Sequence, residues 1–435
     1  MLTRRQTLGT LGAAGLAAPA LAACGGADSV PDHPAGGDLR LVKADVARSP
    51  GDPVAIDAVV AAMSSFATDL WGRVGGVEGN LALSPFSIAT ALAMTANGAA
   101  GATARQMLQV LHVDSLASYN TGMAALTQEV AALAGPVRLA DGTGDSISLT
   151  SADQLFGDRG TTWERPFLTV LAKMYGAGMR EVDFRGDPEA ARVAVNAWTS
   201  GRTGGRIPDI LPQGVVDEMT RLVLVNALYF KAPWETPFQK SSTRTAAFHR
   251  TDAGTVPVPM MQGDAEGTAV YLEGRHYAGA RLPYRDGRLA MTVALPSQPT
   301  DGEGAALAEL LGPRTLLRAG EPAVAVTMPR WRYRVPVDLG DALVALGMRD
   351  AFDSGLADFS PMTTQERLHV SFVLHQTFVA VDEDGTEAAA ATAVGMADSL
   401  AIRRHSLVLD RPFLFVIHDT VHGTPLFVGR VADPS

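Results

Sequence analysis

The chain has 435 residues, of which 47% are hydrophobic and 19% are charged, and its formal net charge is −10 at pH 7. This hydrophobic content suffices for a large buried core, and the acidic balance argues against a nucleic-acid partner, because nucleic-acid binding relies on Lys and Arg side chains that neutralise phosphates. Cys24 is the only cysteine, so an intrachain disulfide is excluded.

The N-terminus has the pattern of an export signal. Arg4 and Arg5 precede an apolar run that ends in small residues before Cys24. This pattern is typical of lipoprotein processing, so we expect residues 1–23 to be removed and Cys24 to carry lipid, with a simple cleaved signal as the alternative. The arginine pair fits twin-arginine as well as general export. Residues 24–53, rich in Gly, Asp, Ala and Pro, predict a flexible tether. The protein is then anchored outside a bacterial cytoplasmic membrane, or is extracellular.

Three later segments place isolated polar residues within apolar runs. Residues 80–88 begin as an apolar run, meet a Ser-Pro pair and continue as an apolar helix, while residues 224–234 predict a buried strand. Residues 370–381 also predict a strand, because they are rich in Val and Phe and free of Gly and Pro. Read alone, a polar or aromatic residue in such a run is ordinarily a hydrogen-bonded or packed core residue. The residues in question are Ser84, Ser87, Asn226, Trp234 and His375.

The segment that follows, residues 381–394, carries two incompatible structural signals. Four consecutive alanines behind Glu387 favour a helix, whereas the preceding strand favours continued extended structure. With a period of two, Thr386, Ala388, Ala390 and Thr392 share one uncharged face, as a strand inside a sheet requires. Local sequence leaves both readings open.

The C-terminal part of the chain predicts two buried strands joined by a polar loop, residues 407–417 and 425–431.

Enzyme and metal sites find little support. Asp353, Ser354 and Gly355 resemble the residues around a serine-protease nucleophile but lack the flanking glycines, so a turn is favoured. His418 and His422 are four residues apart, yet they flank a loop between predicted strands, where helical metal spacing does not apply. We therefore expect no metal ion and no cofactor.

Taken together, these segments resemble the serpin family. Residues 383–392 match its hinge of Glu, any residue, Gly, Thr, Glu and small residues at every position, and residues 407–417 are similar to its C-terminal signature. Residues 80–88 and 224–234 resemble the start of its second helix and a central strand. The resemblance implies an α+β fold: helices around a large central mixed β-sheet, two further sheets and an exposed reactive-centre loop, with residues 54–435 as a single domain.

The resemblance also assigns roles to residues. Trp234 would lie at the breach, where the loop first enters the central sheet. The cleaved bond would follow the seventeenth residue counted from Glu383, between Ser399 and Leu400, with the next bond to Ala401 as an alternative. The shutter, which holds two central strands together, would comprise Ser84, Ser87, Asn226 and His375. The hinge would comprise Glu383, Gly385, Thr386, Glu387, Ala388, Ala389, Ala390, Ala391 and Thr392.

The function implied is inhibition of a serine protease by suicide-substrate trapping, in which the cleaved loop inserts into the central sheet. The residues at the cleavage position suit elastase-like, chymotrypsin-like or subtilisin-like targets better than trypsin-like ones, which would cut at Arg403 or Arg404. The resemblance implies a monomer that contacts a membrane only through its lipid. The alternative is a non-inhibitory serpin acting as a chaperone or ligand carrier, although the small hinge residues favour insertion.

Overall fold

Three β-sheets and their surrounding helices make up the part of the chain that the computed structural model describes. The described residues are 39–76, 78–139, 142–250, 254–264, 269–298, 302–322, 324–387 and 405–435. Within these ranges the α-helices are α1 (Ile56–Val74), α2 (Pro85–Ala96), α3 (Gly101–Val110), α4 (Leu116–Ala131), α5 (Arg165–Val170), α6 (Pro188–Arg202), α7 (Glu303–Leu310) and α8 (Gly340–Leu346).

The strands of the described residues occur mostly in the second half of the chain. They are β1 (Arg40–Val42), β2 (Leu81–Leu83), β3 (Gly135–Arg138), β4 (Gly144–Ser151), β5 (Gln154–Asp158), β6 (Met179–Val182), β7 (Leu222–Pro233), β8 (Arg244–Arg250), β9 (Gly254–Asp264), β10 (Val270–Glu273), β11 (Tyr277–Pro283), β12 (Leu289–Pro296), β13 (Glu321–Pro322), β14 (Val324–Pro329), β15 (Trp331–Asp338), β16 (Phe372–Val381), β17 (Gly385–Thr386), β18 (His405–Val408), β19 (Phe413–Asp419) and β20 (Pro425–Val431).

The largest sheet is mixed and has the order β1-β6-β5-β7-β17-β16-β15, with β4 paired to β7 and β3 to β4. A second sheet has the order β13-β10-β11-β12-β19-β20-β2, and a third the order β18-β14-β9-β8. The predicted architecture of one large mixed sheet and two further sheets is confirmed. The predicted strand over residues 407–417 is wrong in one respect, because it divides into β18 and β19, which belong to different sheets. Pro412, which has no N–H to donate to a ladder, lies in the interruption.

Helix α2 lies buried beneath the large sheet. Every one of its residues is buried, as its apolar character on all sides requires. Ser84 caps its N-terminus by accepting a hydrogen bond from Ser87 N–H, and Pro85 occupies its first turn, where a missing N–H costs nothing. Helix α1 is also a core helix. The segment Pro53–Val74 is long and apolar enough to cross a membrane, but Phe66 and Leu70 are fully buried inside the protein.

Helix α6 covers the opposite face of the same sheet. Its Val195 packs in one cluster with Phe156 of β5, Val225 of β7 and Leu374 of β16. The central strands therefore have apolar cover on both faces, with α2 on one side and α6 on the other.

The chain that precedes α1 is docked on the protein. Strand β1 pairs antiparallel with β6, Ser49 N–H donates to Lys173 O (2.7 Å), and Asp52 N–H donates to Thr121 O (2.9 Å). The prediction of a flexible tether over residues 24–53 is therefore wrong for residues 39–53, whose backbone groups find partners on the domain.

Candidate functional site

Strand β17 lies between one end of β7 and one end of β16, two long strands of the large sheet that pair directly with each other further along. Strands β7 and β16 pair in parallel from Phe372 opposite Val223 to Thr377 opposite Leu228. At their other end β17 separates them, with Thr386 opposite both Val381 and Ala232 in antiparallel register. The first hinge residues thus already form a short central strand.

Gly385 is required where β17 meets β7. A Cβ atom built on it would lie 2.2 Å from Ala232 O and 2.7 Å from the Cα atom of Pro233, closer than real Cβ atoms approach backbone. Any larger residue would push β17 away from β7.

Thr386 points into the core. It is 1% exposed, and its Oγ1 lies 2.6 Å from the Tyr284 hydroxyl. Tyr284 stacks on Trp234 with ring centroids 4.6 Å apart, and burial raises the pKa of Tyr284, so the phenol stays neutral. Trp234 in turn donates from Nε1 to Asp382 O (3.0 Å). The predicted breach residue therefore contacts the chain that leads into the hinge.

Two acidic residues immediately before β17 are paired with basic side chains. Glu383 is 1% exposed and accepts hydrogen bonds from Arg330 and Thr243. Burial alone would raise the pKa of Glu383, but these hydrogen bonds outweigh it and the pKa is lowered, so the carboxylate stays ionised. Asp384 pairs with Lys240 (2.7 Å).

Glu387 follows β17 directly and is the last described residue before the gap. Its N–H donates to Ala380 O (2.8 Å), its φ of 51° lies in the left-handed region, and its carboxylate pairs with Arg206. Thr386 faces the core, whereas the Glu387 side chain lies with Arg206 on the α6 side of the sheet, where Arg206 also packs on Phe378.

The structure brings the four predicted shutter residues together beneath the sheet. Ser84 N–H donates to Nε2 of His375 (3.0 Å), and Nδ1 of His375 donates to Oδ1 of Asn226. Ser87 N–H donates to Ser84 Oγ (3.2 Å). Because Nε2 accepts, the ring is neutral with its proton on Nδ1, and burial lowers the pKa of His375 to about 3.

A fifth residue, which sequence reasoning missed, joins this network. Asp153 lies between β4 and β5, and its Oδ1 accepts from Asn226 Nδ2 (2.5 Å) and from the Ser87 hydroxyl, while Oδ2 accepts from the Ser151 hydroxyl. Its sequence context, among several polar residues between two strands, does not distinguish it. Tyr284 and Arg206 were also missed, and no local pattern distinguishes them.

Several predicted residues lie outside the described residues. They are Cys24, Ala388, Ala389, Ala390, Ala391, Thr392, Ser399 and Leu400. The residues considered for catalysis or metal binding have structural partners instead. Asp353 accepts from Gly355 N–H (2.7 Å) in a turn, His418 contacts Thr292 (2.9 Å), and His422 bridges Asp57 and Glu129. Among the described residues no group of three or more His, Cys, Asp or Glu is arranged to hold a metal ion.

Comparisons with known proteins agree with this architecture. The chain is 36% identical over 384 residues to leukocyte elastase inhibitor A of Rattus norvegicus, covering 86% of this chain and 98% of the rat protein. It is 37% identical over 383 residues to an uncharacterized serpin-like protein of Thermococcus kodakarensis, covering 86% of each chain. The crystal structure of the thermophilic serpin tengpin in its native state matches with a TM-score of 0.77 and 27% identity, covering 90% of this chain and 97% of tengpin.

A family model described as "Serpin (serine protease inhibitor)" matches residues 61–434. The family is described as one of serine protease inhibitors and a relative is named as an elastase inhibitor, so the predictions of a serpin fold and of an inhibitor rather than an enzyme are confirmed. The chain belongs to the serpin family.

Proposed function

We propose that this serpin traps a serine protease as a suicide substrate, by inserting its cleaved reactive-centre loop between β7 and β16. The observation that carries the proposal is the position of β17, because Gly385 and Thr386 already occupy the start of that path in antiparallel register with both neighbours. The residues that follow need only continue a strand that has begun.

The register of β17 predicts where each later residue would go. Continued along β16 from Thr386 opposite Val381, it places Thr392 opposite His375. Continued along β7 from Thr386 opposite Ala232, it places Thr392 opposite Asn226. Since His375 and Asn226 are opposite each other in the resting register, both extrapolations agree. Insertion would thus place Thr392 between the two shutter strands and break the hydrogen bond between His375 and Asn226.

The side chains of the loop suit this path. Ala388, Ala390 and Thr392 share the inward parity of Thr386 and are small and uncharged. Asp398, which has the same parity, would fall opposite residue 369, beyond the start of β16 at Phe372. Its charge would therefore lie outside the ladder and would not oppose insertion.

Insertion also has a favourable free energy. The parallel pairing of β7 and β16 would be replaced by two antiparallel pairings, which are slightly more stable per residue, and about ten residues would gain ladder bonds on both sides. At about 0.5–1.5 kcal/mol for each hydrogen bond, the gain is on the order of ten kcal/mol. Because whole domains are stable by only about 5–15 kcal/mol, the resting form is held by a barrier rather than by equilibrium.

We place the cleaved bond between Ser399 and Leu400, or between Leu400 and Ala401, and the targets among elastase-like, chymotrypsin-like or subtilisin-like serine proteases. A relative that is 36% identical is named as an elastase inhibitor, which supports this choice. Incubation with a panel of such proteases should give an adduct that survives SDS. The peptide released from it should begin at Leu400 or Ala401, as read by mass spectrometry.

Two outcomes of this experiment would change the assignment. A peptide that begins at Arg404 or His405 would move the target to a trypsin-like protease. Cleavage by every protease without any adduct would overturn the trapping mechanism and favour a non-inhibitory role as chaperone or ligand carrier.

We further propose that the mature chain begins at a lipidated Cys24 and acts as a monomer on the outer surface of the cytoplasmic membrane. The small residues before Cys24 support this location. A lipid anchor would hold the inhibitor where secreted proteases reach the cell surface.

A further inference from the structure

The hydrogen bonds of the shutter residues run in one direction, from donor to acceptor, and the last acceptor is Asp153. Ser84 N–H donates to Nε2 of His375, and Nδ1 of His375 donates to the side-chain oxygen Oδ1 of Asn226. The side-chain Nδ2 of Asn226 donates to Oδ1 of Asp153. Ser87 donates to the same oxygen from α2. The Asp153 carboxyl therefore accepts hydrogen bonds from both β7 and α2, next to the point where β7 meets β16.

Within the described parts of the chain, no ion pair is found at this carboxyl. Helix α2 contains no ionisable residue, and β16 contributes only the neutral His375 to the network. Lys231 of β7 is paired with Asp145 of β4 (3.0 Å). Burial raises the pKa of Asp153 to about 7, and the hydrogen bonds from Ser151 and Ser87 oppose this rise without cancelling it. The carboxyl therefore changes charge near neutral pH, whereas His375 does not.

The Asp153 side chain lies next to an exposed residue. The residue is half-buried, and the Ser151 hydroxyl that donates to Oδ2 belongs to an exposed residue. A proton on Oδ2 could be donated to Ser151, whose hydroxyl would turn to water, while Oδ1 kept both of its donors. The protonated form thus fits the closed network without rearrangement.

We propose that Asp153 makes the separation of β7 from β16 depend on pH, with the protonated carboxyl keeping the strands closed and the ionised carboxyl favouring their separation. Separation would break the hydrogen bond between His375 and Asn226 and let water reach the carboxylate. The proposal rests on the proposed function in so far as separation admits the loop, but strand separation is measurable without any protease.

The direction of the pH dependence follows from the difference between the pKa values of Asp153 in the closed and separated forms. The closed form binds the proton with a pKa of about 7, and a hydrated carboxyl binds it near the ordinary value of 3.8. Separation is therefore least favourable in acid, becomes more favourable as pH rises between these two values, and levels off above about pH 7. The slope is at most about tenfold for each pH unit, and less where water reaches the carboxylate only in part.

The test compares the parent with Asp153→Asn, which keeps an acceptor oxygen for Asn226 and Ser87 and a donor for Ser151. Hydrogen exchange of the backbone amides that pair β7 with β16 would be measured for both proteins from pH 5 to 8. The ratio of the two rates at each pH removes the intrinsic pH dependence of exchange. We expect the parent-to-variant ratio to rise several-fold from pH 5 to 7 and then level off, and a constant ratio would overturn the proposal.

A control and a direct titration complete the design. Asp145→Asn removes a carboxylate of β4 that contacts Lys231 of β7 but takes no part in the polar network, so it should keep the pH dependence of the parent. The ¹³C chemical shift of the Asp153 carboxyl in the parent should titrate near pH 7, and a midpoint below pH 5 would also overturn the proposal. Adduct formation with a protease is measured separately at pH 7.5. It tests the trapping mechanism, whereas hydrogen exchange and the carboxyl titration test the pH dependence, so either proposal can be refuted without the other.

Discussion

Thr386→Arg places a charge at the start of the insertion path. In the resting protein Thr386 is 1% exposed and contacts the Tyr284 hydroxyl. Tyr284 is neutral, because burial raises its pKa, so it offers the guanidinium no counter-charge. The other neighbours, Ala232 and Val381, are apolar. An arginine therefore cannot stay where Thr386 lies, and we expect β17 to leave the sheet.

Two free-energy contributions determine how much Thr386→Arg changes the resting protein and slows insertion. Leaving the sheet costs a few ladder hydrogen bonds and the contact with Tyr284, each about 0.5–1.5 kcal/mol. Burying an unpaired charge during insertion costs several kcal/mol. If about 4 kcal/mol of this appears in the barrier, insertion slows about a thousandfold, since about 1.4 kcal/mol corresponds to a factor of ten. Deacylation would then release the protease before it is trapped.

The assay counts moles of inhibitor consumed for each mole of protease inactivated, together with the yields of adduct and of cleaved inhibitor on SDS gels. The variant should be cleaved with little adduct. Ala389→Arg is the matched control, because the extended register directs residue 389 to the opposite face, and it should retain most of the adduct yield. An unchanged adduct yield for Thr386→Arg would refute the insertion path derived from β17.

Two further predictions concern the shutter and the N-terminus. His375→Ala should speed the spontaneous conversion of the inhibitor into inactive latent or polymeric forms, because it leaves Ser84 N–H and the side-chain amide oxygen of Asn226 unpaired, at about 1–3 kcal/mol each. Native gels would follow the conversion. Simple additivity of His375→Ala and Asn226→Ala in a double-mutant cycle would reject the coupling between the two residues. Cys24→Ser should release the protein from membranes into the soluble fraction, and a variant that sediments with membranes like the parent would place the anchor elsewhere.

The sequence predicted which face of the hinge is buried but not how far the hinge has entered the sheet. Alternation of side chains is a local property, so the inward parity of Thr386 was readable from its neighbours. Its burial in the resting protein depends on Ala232, Tyr284 and Val381, of which two are distant in sequence. The ion pair of Glu387 with Arg206 depends in the same way on a residue beyond α6.

The errors have similar physical causes. Strand β1 is three residues long and is an edge strand, so its pairing with β6 comes from the partner and not from its own composition. Asp153 resembles any polar residue near a strand end, and only the approach of α2 and β7 makes it a network member. The division of residues 407–417 was predictable, because Pro412 cannot serve in the middle of a strand.

Under the proposed mechanism, the two parts of the site place the barrier to insertion at the shutter. In the resting protein Gly385 and Thr386 already pair with the neighbouring strands, so the start of the proposed path is occupied. The next obstacle is the parallel pairing that begins with Thr377 opposite Leu228, and the hydrogen bond between His375 and Asn226 holds it closed from below. An apolar contact at this position would hold β7 and β16 together equally well. It would, however, offer no hydrogen-bond partner to a threonine that enters between the two strands. Breaking the contact would free the His375 N–H and the side-chain amide oxygen of Asn226. On the proposed path the hydroxyl of Thr392 would arrive at the same level, where it could accept a hydrogen bond from the first and donate one to the second.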